Sequence, residues 1–433
     1  MSKNNNNLLP VSLNLNVRSL KTSATLAINE KSRLLMNQGN DVYRFGLGQS
    51  PFPVPEIVVN ELKDNAFQKD YLPVKGLYPL REAIAKFNRK AHGLECSAED
   101  VIIGPGSKEL IFLFQLVYYG DLVIPTPSWV SYSPQAQIIG RPVTWVPTFE
   151  KDNWMLTPEK LDIICRTDPG RPRVVILNYP NNPTGCTYTL SELKEIAHVA
   201  ETYKVILISD EIYGLLHHKG QHVSISRFYP QGTIISSGLS KWCGAGGWRL
   251  GTFTFPSVHR GLLNAMANVA SETYTSTSAP IQYAAVKAFE GSAEIDKYLK
   301  ASRKILHALG KYIAKKLKSH HVSVADPEGA FYLFPNFEHY REKLKEKDIF
   351  TSVELCNRLL EEIGVAMLPG HDFGRQPEEL TVRMAYVDFD GAGALKAALS
   401  QPENKEINGD FLKTYCSKII KATELLCNWL SAQ

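Results

Sequence analysis

The sequence predicts an α/β fold, with a mostly parallel central sheet carrying helices on both faces and a smaller α+β lobe built from the N- and C-terminal segments. Three observations point there. Between Val101 and Gly238, short apolar runs bounded by Gly, Pro or Asp alternate with stretches of helical spacing, the pattern of crossover units feeding a sheet buried on both faces. After about Ile295 a long Lys-rich helical stretch leads into two isolated strand signals. Near the start, Val42–Gly48 closes in glycines and is followed by Pro51, Pro53 and Pro55, which reads as a segment crossing between lobes.

Taken in order, Met1 to about Asn14 is polar, with asparagine at positions 4–7, and reads as a flexible arm without the apolar core of a signal peptide. Ser23–Gln38 has helical spacing (Ala24, Ala27, Ile28, Leu34, Leu35) and stops at Gly39. Pro79–His92, Ser107–Tyr118 and Thr189–Tyr203 read as helices. Val101–Ile103, Leu122–Ile124, Val143–Val146, Val174–Asn178 and Val205–Ser209 read as strands. Ala293–Ser319 predicts a long helix, Ala330–Phe334 and Thr381–Tyr386 predict strands, and the apolar stripe over Phe411–Leu430 predicts one terminal helix packed on the small lobe. The expected division is an arm at 1–14, a small domain at 15–55 plus 296–433, and a large domain at 56–295.

Composition narrows the function. With 44% hydrophobic and 21% charged residues the 433-residue chain is ordinary globular protein. The 48 Lys and Arg against 44 Asp and Glu leave +4, far from the basic surface that nucleic acid requires. No apolar stretch approaches 18 residues, so no membrane span is expected. Seven scattered cysteines, odd in number and without a Cys-x-x-Cys pair, fit a reducing, cytoplasmic setting.

Open parallel sheets bind ligands beyond the carboxyl ends of their strands, and three such ends carry unusual residues. Val174 to Gly185 runs into Tyr-Pro-Asn-Asn-Pro-Thr-Gly with Asn182. Val205 to Tyr213 ends in Ser-Asp210-Glu-Ile-Tyr213. Ile234 to Arg249 holds Lys241 among small residues. Singly, each has a plainer reading: a helix cap, a solvated lysine, an ion-paired arginine. Together they suit pyridoxal phosphate, which needs a lysine amine for its aldehyde, an acid at its pyridine nitrogen, and a cationic or amide nest for its phosphate. Asp210 fits the acid, Tyr213 and Asn182 the ring hydroxyl. Gly104-Pro-Gly106-Ser107-Lys108 precedes a helix and suits an anion, with Arg249 as a bidentate partner.

With those motifs, Asn-Pro-Thr-Gly, Ser-Asp-Glu-Ile-Tyr and Ser-Lys-x5-Gly-Trp-Arg in this order, the chain resembles the class I/II aminotransferases of pyridoxal-phosphate fold type I, most of all the aspartate/aromatic branch. The resemblance spans about Val17 to Leu399. It implies Lys241 as Schiff-base lysine and proton-shuttling base, Asp210 on the pyridine nitrogen, and Asn182 and Tyr213 on the ring hydroxyl. Gly106, Ser107, Lys108 and Arg249 would hold the phosphate, and Trp129 would stack on the ring. Gly48 and Arg383 would bind the substrate carboxylate, beside Trp129 and Asn182. Tyr71 would reach the neighbouring subunit's phosphate site, implying a homodimer. The implied activity moves an amino group from an L-amino acid, aspartate or aromatic, to a 2-oxo acid such as 2-oxoglutarate. The alternative is a C–S lyase or an aminocyclopropane-carboxylate-synthase-like enzyme on the same fold.

Two features depart from that pattern. Gly238 stands where parts of the family carry a hydroxyl, and Glu403–Asp410 is an inserted polar stretch. No metal is expected. His217-His218-Lys-Gly-Gln-His222 has metal-like spacing but reads as a surface loop, lacking acids and cysteines nearby. A dinucleotide-binding motif is excluded, because Gly104-Pro-Gly106 lacks the third glycine.

Overall fold

The computed structural model describes residues 12–20 and 22–432, so most of the expected arm, residues 1–11, lies outside them. The strands are β1 (Tyr43–Arg44), β2 (Val101–Gly104), β3 (Asp121–Thr126), β4 (Val143–Pro147), β5 (Arg173–Asn178), β6 (Ile206–Asp210), β7 (Thr233–Gly238), β8 (Gly251–Thr254), β9 (Tyr332–Leu333), β10 (Val365–Ala366), β11 (Leu368–Pro369) and β12 (Val382–Ala385). A seven-stranded sheet has the order β2-β8-β7-β6-β5-β3-β4. Its pairings are parallel from β7 through β4, and only β8 runs against its two neighbours. The mostly parallel sheet predicted from the apolar runs is therefore present.

Alternation along the strands buries both faces. Ile124, Ile176, Ile208 and Ile234 join one apolar cluster with Leu110 and Phe114 of the helix Ser107–Val117. Their neighbours Val123, Val175 and Leu207 join a second, with Leu193 and Ile196 of the helix Leu190–Thr202. Such two-sided burial is what continuous Val/Ile/Leu runs report. The helix Leu190–Thr202 starts where expected because Thr189 and Glu192 close a capping box. A further cluster runs from Phe45, Phe52 and Leu80 through Trp242 to Leu355 and Leu426, so the core is continuous beyond the large sheet. There β11-β12-β9 and β1-β10 form two small sheets, flanked by the 26-residue helix Ala293–Lys318.

The single terminal helix expected over Phe411–Leu430 is instead two, Gly409–Tyr415 and Ser417–Ser431. Asn408 caps the first, its side chain accepting from Phe411 N at 3.0 Å. At the break, the Tyr415 carbonyl accepts from Asp390 N at 3.2 Å, and Cys416 leaves helical geometry with φ −116°. A tertiary hydrogen bond has replaced the intrahelical one.

Candidate active site

The site grows from the sheet register. Asn178 on β5, Asp210 on β6 and Ser236 on β7 are consecutive partners at the carboxyl ends of their strands. Asp210 is buried at 3% exposure. It accepts from Tyr132 Oη at 2.6 Å and from Ser236 Oγ at 3.1 Å. Burial pushes its carboxyl up from the ordinary value, and the two hydroxyls pull part of the way back. The Tyr132 phenol, itself driven well up by burial, remains a donor.

Strand alternation sends the next side chain, Glu211, to the opposite face. Ser209 Oγ, Ser224 Oγ and His222 Nε2 reach its carboxylate at 2.8, 2.5 and 2.7 Å. His222 and His92 together hold Glu211 down to about 2 against the upward push of burial. Ordinary acid therefore leaves this carboxylate charged.

Lys241 lies in the turn after β7, and its Nζ donates to the Gly48 carbonyl at 2.7 Å. The rings of Tyr213 and Phe331 stand 5.5 and 5.9 Å from that nitrogen. Burial first, then the Arg383 and Arg249 charges, lower the amine from 10.5 to about 8. Tyr213 hydrogen-bonds Tyr332, oxygen to oxygen, at 2.7 Å.

Gly106, at φ +98°, opens the helix Ser107–Val117, and no side chain caps that end. Arg249 lies across it, Nη2 donating to Pro105 O at 3.2 Å. A Cβ at Gly106 would collide with Arg249 Nη2, and one at Gly251 with Ser107 N. The sequence thus leaves a bare amide end flanked by Arg249 and Lys108. The Lys108 ammonium sits 5.2 Å from the centre of the Trp129 ring and is lowered by burial and by Arg249. At Gly238 a Cβ would lie 2.6 Å from Leu250 O, which explains why no hydroxyl residue stands there.

Arg383 on β12 is 1% exposed. Nη1 donates to Asn182 Oδ1 at 3.3 Å, Nη2 donates to Gly46 O, and Nε has no hydrogen-bond partner among the described residues. Its guanidinium carbon lies 5.0 Å from the Tyr332 ring and 5.2 Å from the Phe373 ring. The structure thus links Asn182 to Arg383, while the Tyr213 hydroxyl pairs with Tyr332. Tyr71 is 91% exposed and joins no hydrogen bond of this set.

Sequence reasoning missed Tyr132, Ser236, Tyr332 and Phe373. Tyr132 had a visible signal, three residues past Trp129, whose ring it meets edge-on at 5.2 Å. Ser236 becomes visible only once β6 and β7 are in register. The surface-loop reading of His217–His222 is corrected. His217 and His218 are each 8% exposed, because the segment Pro327–Ala330 covers them, with the Pro327 and Ala330 carbonyl oxygens 3.0 and 3.1 Å from the two His218 ring nitrogens. Among the described residues no His, Cys, Asp and Glu cluster suits a metal ion.

Comparisons with known proteins bear on the family and the fold. The profile of the family described as aminotransferase class I and II matches residues 36–392. Aspartate aminotransferase of Geobacillus stearothermophilus is 36% identical over 380 residues, covering 86% of this chain and 93% of that protein. Asparagine–oxo-acid transaminase of Streptococcus mutans is 32% identical over 387 residues, covering 86% and 94%. Among solved structures, aspartate aminotransferase from Thermus thermophilus with maleate superposes with a TM-score of 0.80 at 30% identity, covering 90% of this chain and 98% of that one.

Proposed function

The chain belongs to the aminotransferase class I and II family and is a transaminase, and we propose that it works with pyridoxal phosphate bound at Lys241 and takes amino groups from aspartate or an aromatic amino acid. The observation that carries this is the pairing of a buried carboxylate with a depressed amine, Asp210 at the exit of β6 and Lys241 in the turn after β7. Relatives named as aspartate aminotransferases support the donor. An elimination lyase on this fold is not favoured, because the matched relatives are named transaminases.

The residues present fit the cofactor. The uncapped helix end at Ser107, with Lys108 and Arg249 beside it, suits a phosphate. Gly106 and Gly251 keep that cradle open where a Cβ would close it. Asp210 would hold the proton on the pyridine nitrogen, Tyr213 and Asn182 the ring hydroxyl, and Trp129 would cover the ring face. When bound, pyridoxal phosphate supplies an aldehyde for the amino group and a ring that accepts the electron pair left at the substrate α-carbon.

The chain's own groups do the rest. Lys241 Nζ, about a tenth neutral at pH 7 for an amine near 8, takes the proton from the α-carbon and returns it on the far side of the transfer. Arg383, rigid between Tyr332 and Phe373, pairs with the α-carboxylate, with the Gly48 segment beside it. Phe331, Tyr332 and Tyr213, all buried, keep water from the reacting carbon.

A cytoplasmic homodimer completes the reading. Its support is the exposed Tyr71, seven unpaired cysteines, and no helix among the described residues long and apolar enough to cross a membrane. The large unit is 56–295, and the small one is 15–55 plus 296–433. To test the function, purified enzyme is mixed with aspartate and 2-oxoglutarate. Equal yields of oxaloacetate and glutamate are expected. Pyruvate and ammonia released from a cysteine thioether without an acceptor acid, with no amino transfer from aspartate or any aromatic amino acid, would sink it.

A further inference from the structure

Arg375 is the most heavily bonded cation of the described residues that the proposed chemistry leaves unused. It lies in the connection from β11 to β12, just past a 3-10 turn at Gly370–Phe373 and Gly374 at φ +83°. Its side chain is only 4% exposed. Nε and Nη2 donate to the two oxygens of Glu379 at 2.8 and 3.0 Å. Nη1 donates to Thr126 O and Oγ1, both at 3.1 Å, and to Thr148 O at 3.0 Å. The guanidinium carbon also faces the ring of Trp154 at 5.0 Å.

These bonds join two places that matter. Thr126 ends β3, three residues before Trp129. The same loop is held again where Ser128 N donates to Phe373 O at 3.0 Å. Phe373, two residues before Arg375, presents its ring to the Arg383 guanidinium. One short turn therefore touches the segment carrying Trp129 and the residue beneath Arg383. We propose that Arg375 is a positioning residue that fixes the distance between the Trp129 platform and the Arg383 clamp, so that the cofactor ring and the substrate carboxylate are seated as one unit.

The inference rests on the functional reading above. It also depends on shape, since a planar fork with five donors can bind a carboxylate on one edge and three backbone or hydroxyl oxygens on the other. A lysine keeps the charge and loses that reach.

The test is a double-mutant cycle on the dissociation constant for pyridoxal phosphate, followed by quenching of protein fluorescence, with Arg375→Lys and Trp129→Phe made singly and together. In the wild-type background Trp129→Phe should weaken binding by on the order of tenfold. In the Arg375→Lys background the same change should cost much less, because the platform is already loose. In parallel, Arg375→Lys should raise KM for the amino acid and the oxo acid together. Equal cost of Trp129→Phe in both backgrounds overturns the inference. Should Arg375→Lys fail to fold, Thr126→Val removes only the hydroxyl acceptor and goes through the same cycle with the same criterion. Wild-type protein that stays colourless with pyridoxal phosphate would sink the functional reading and this inference with it. A coloured wild type with no coupling sinks the inference alone.

Discussion

Tyr132 donates its phenolic hydrogen to Asp210 Oδ2 across 2.6 Å, and both groups are fully buried. Burial raises the carboxyl, and this hydrogen bond is the first of the groups that lower it again. Tyr132→Phe should therefore raise the Asp210 carboxyl further and weaken its hold on a protonated ring nitrogen. A fall in kcat on the order of tenfold is expected, the effect of one lost hydrogen bond to a charged group. Steady-state kinetics against pH check it, and an unchanged kcat would remove Tyr132 from the site.

Lys241 gives a second expectation, in the free chain. With its amine near 8, the neutral fraction grows about tenfold per pH unit below that value and then levels. Capture of pyridoxal phosphate, fixed with borohydride and counted by mass spectrometry, should follow that curve. A rate still climbing in proportion at pH 10 would contradict it. Lys241→Ala should retain noncovalent binding and yield no fixed label.

Glu211 sets acid stability. Its folded value, about 2, lies below the ordinary 4.5, so its contribution is complete above 4.5 and is lost as pH falls toward 2. His92, lowered by burial, acts in the same direction, because acid charges it more readily in the unfolded chain. Glu211→Gln should cost about 1–3 kcal/mol near neutrality, because it takes a charged acceptor from the buried groups around it. The gap between the two proteins should narrow below pH 4.5. Denaturant titrations at pH 7 and pH 3.5 decide it, and a gap that widens in acid would reverse the sign.

Tyr71 tests assembly. Inactive Lys241→Ala chains and weakened Tyr71→Phe chains, unfolded together and refolded, should regain activity above either parent. In a mixed dimer one site receives an intact lysine from one chain and an intact tyrosine from the other. No gain on mixing would place Tyr71 outside the neighbouring site.

The strand exits were legible because each apolar run ends in residues that a plain turn does not require: Asp210 and Tyr213, Asn182, and Lys241 with Arg249. Contacts made across long separations were not legible. The pairing of Arg383 with Gly46 O spans 337 positions, and Tyr132 reaches Asp210 only because β3 and β6 lie in one sheet. The histidines at 217 and 218 looked exposed because the segment covering them is over a hundred residues later. The break at Cys416 depends on Asp390 reaching the Tyr415 carbonyl, which periodicity cannot reveal. Arg375 carried no signal, because its partners Thr126 and Thr148 lie 249 and 227 positions away.

Strand β12 comes late, and that bears on synthesis. By the time a ribosome has released residue 251, Asp210, Lys241 and the amide cradle have all been made, yet Arg383, the arginine proposed to meet the substrate, is more than a hundred codons away. A polypeptide stopped anywhere in that interval carries the groups proposed to bind the vitamin without the proposed clamp for an amino acid. On the proposed reading, products terminated in that interval have no guanidinium at position 383 with which to retain substrate.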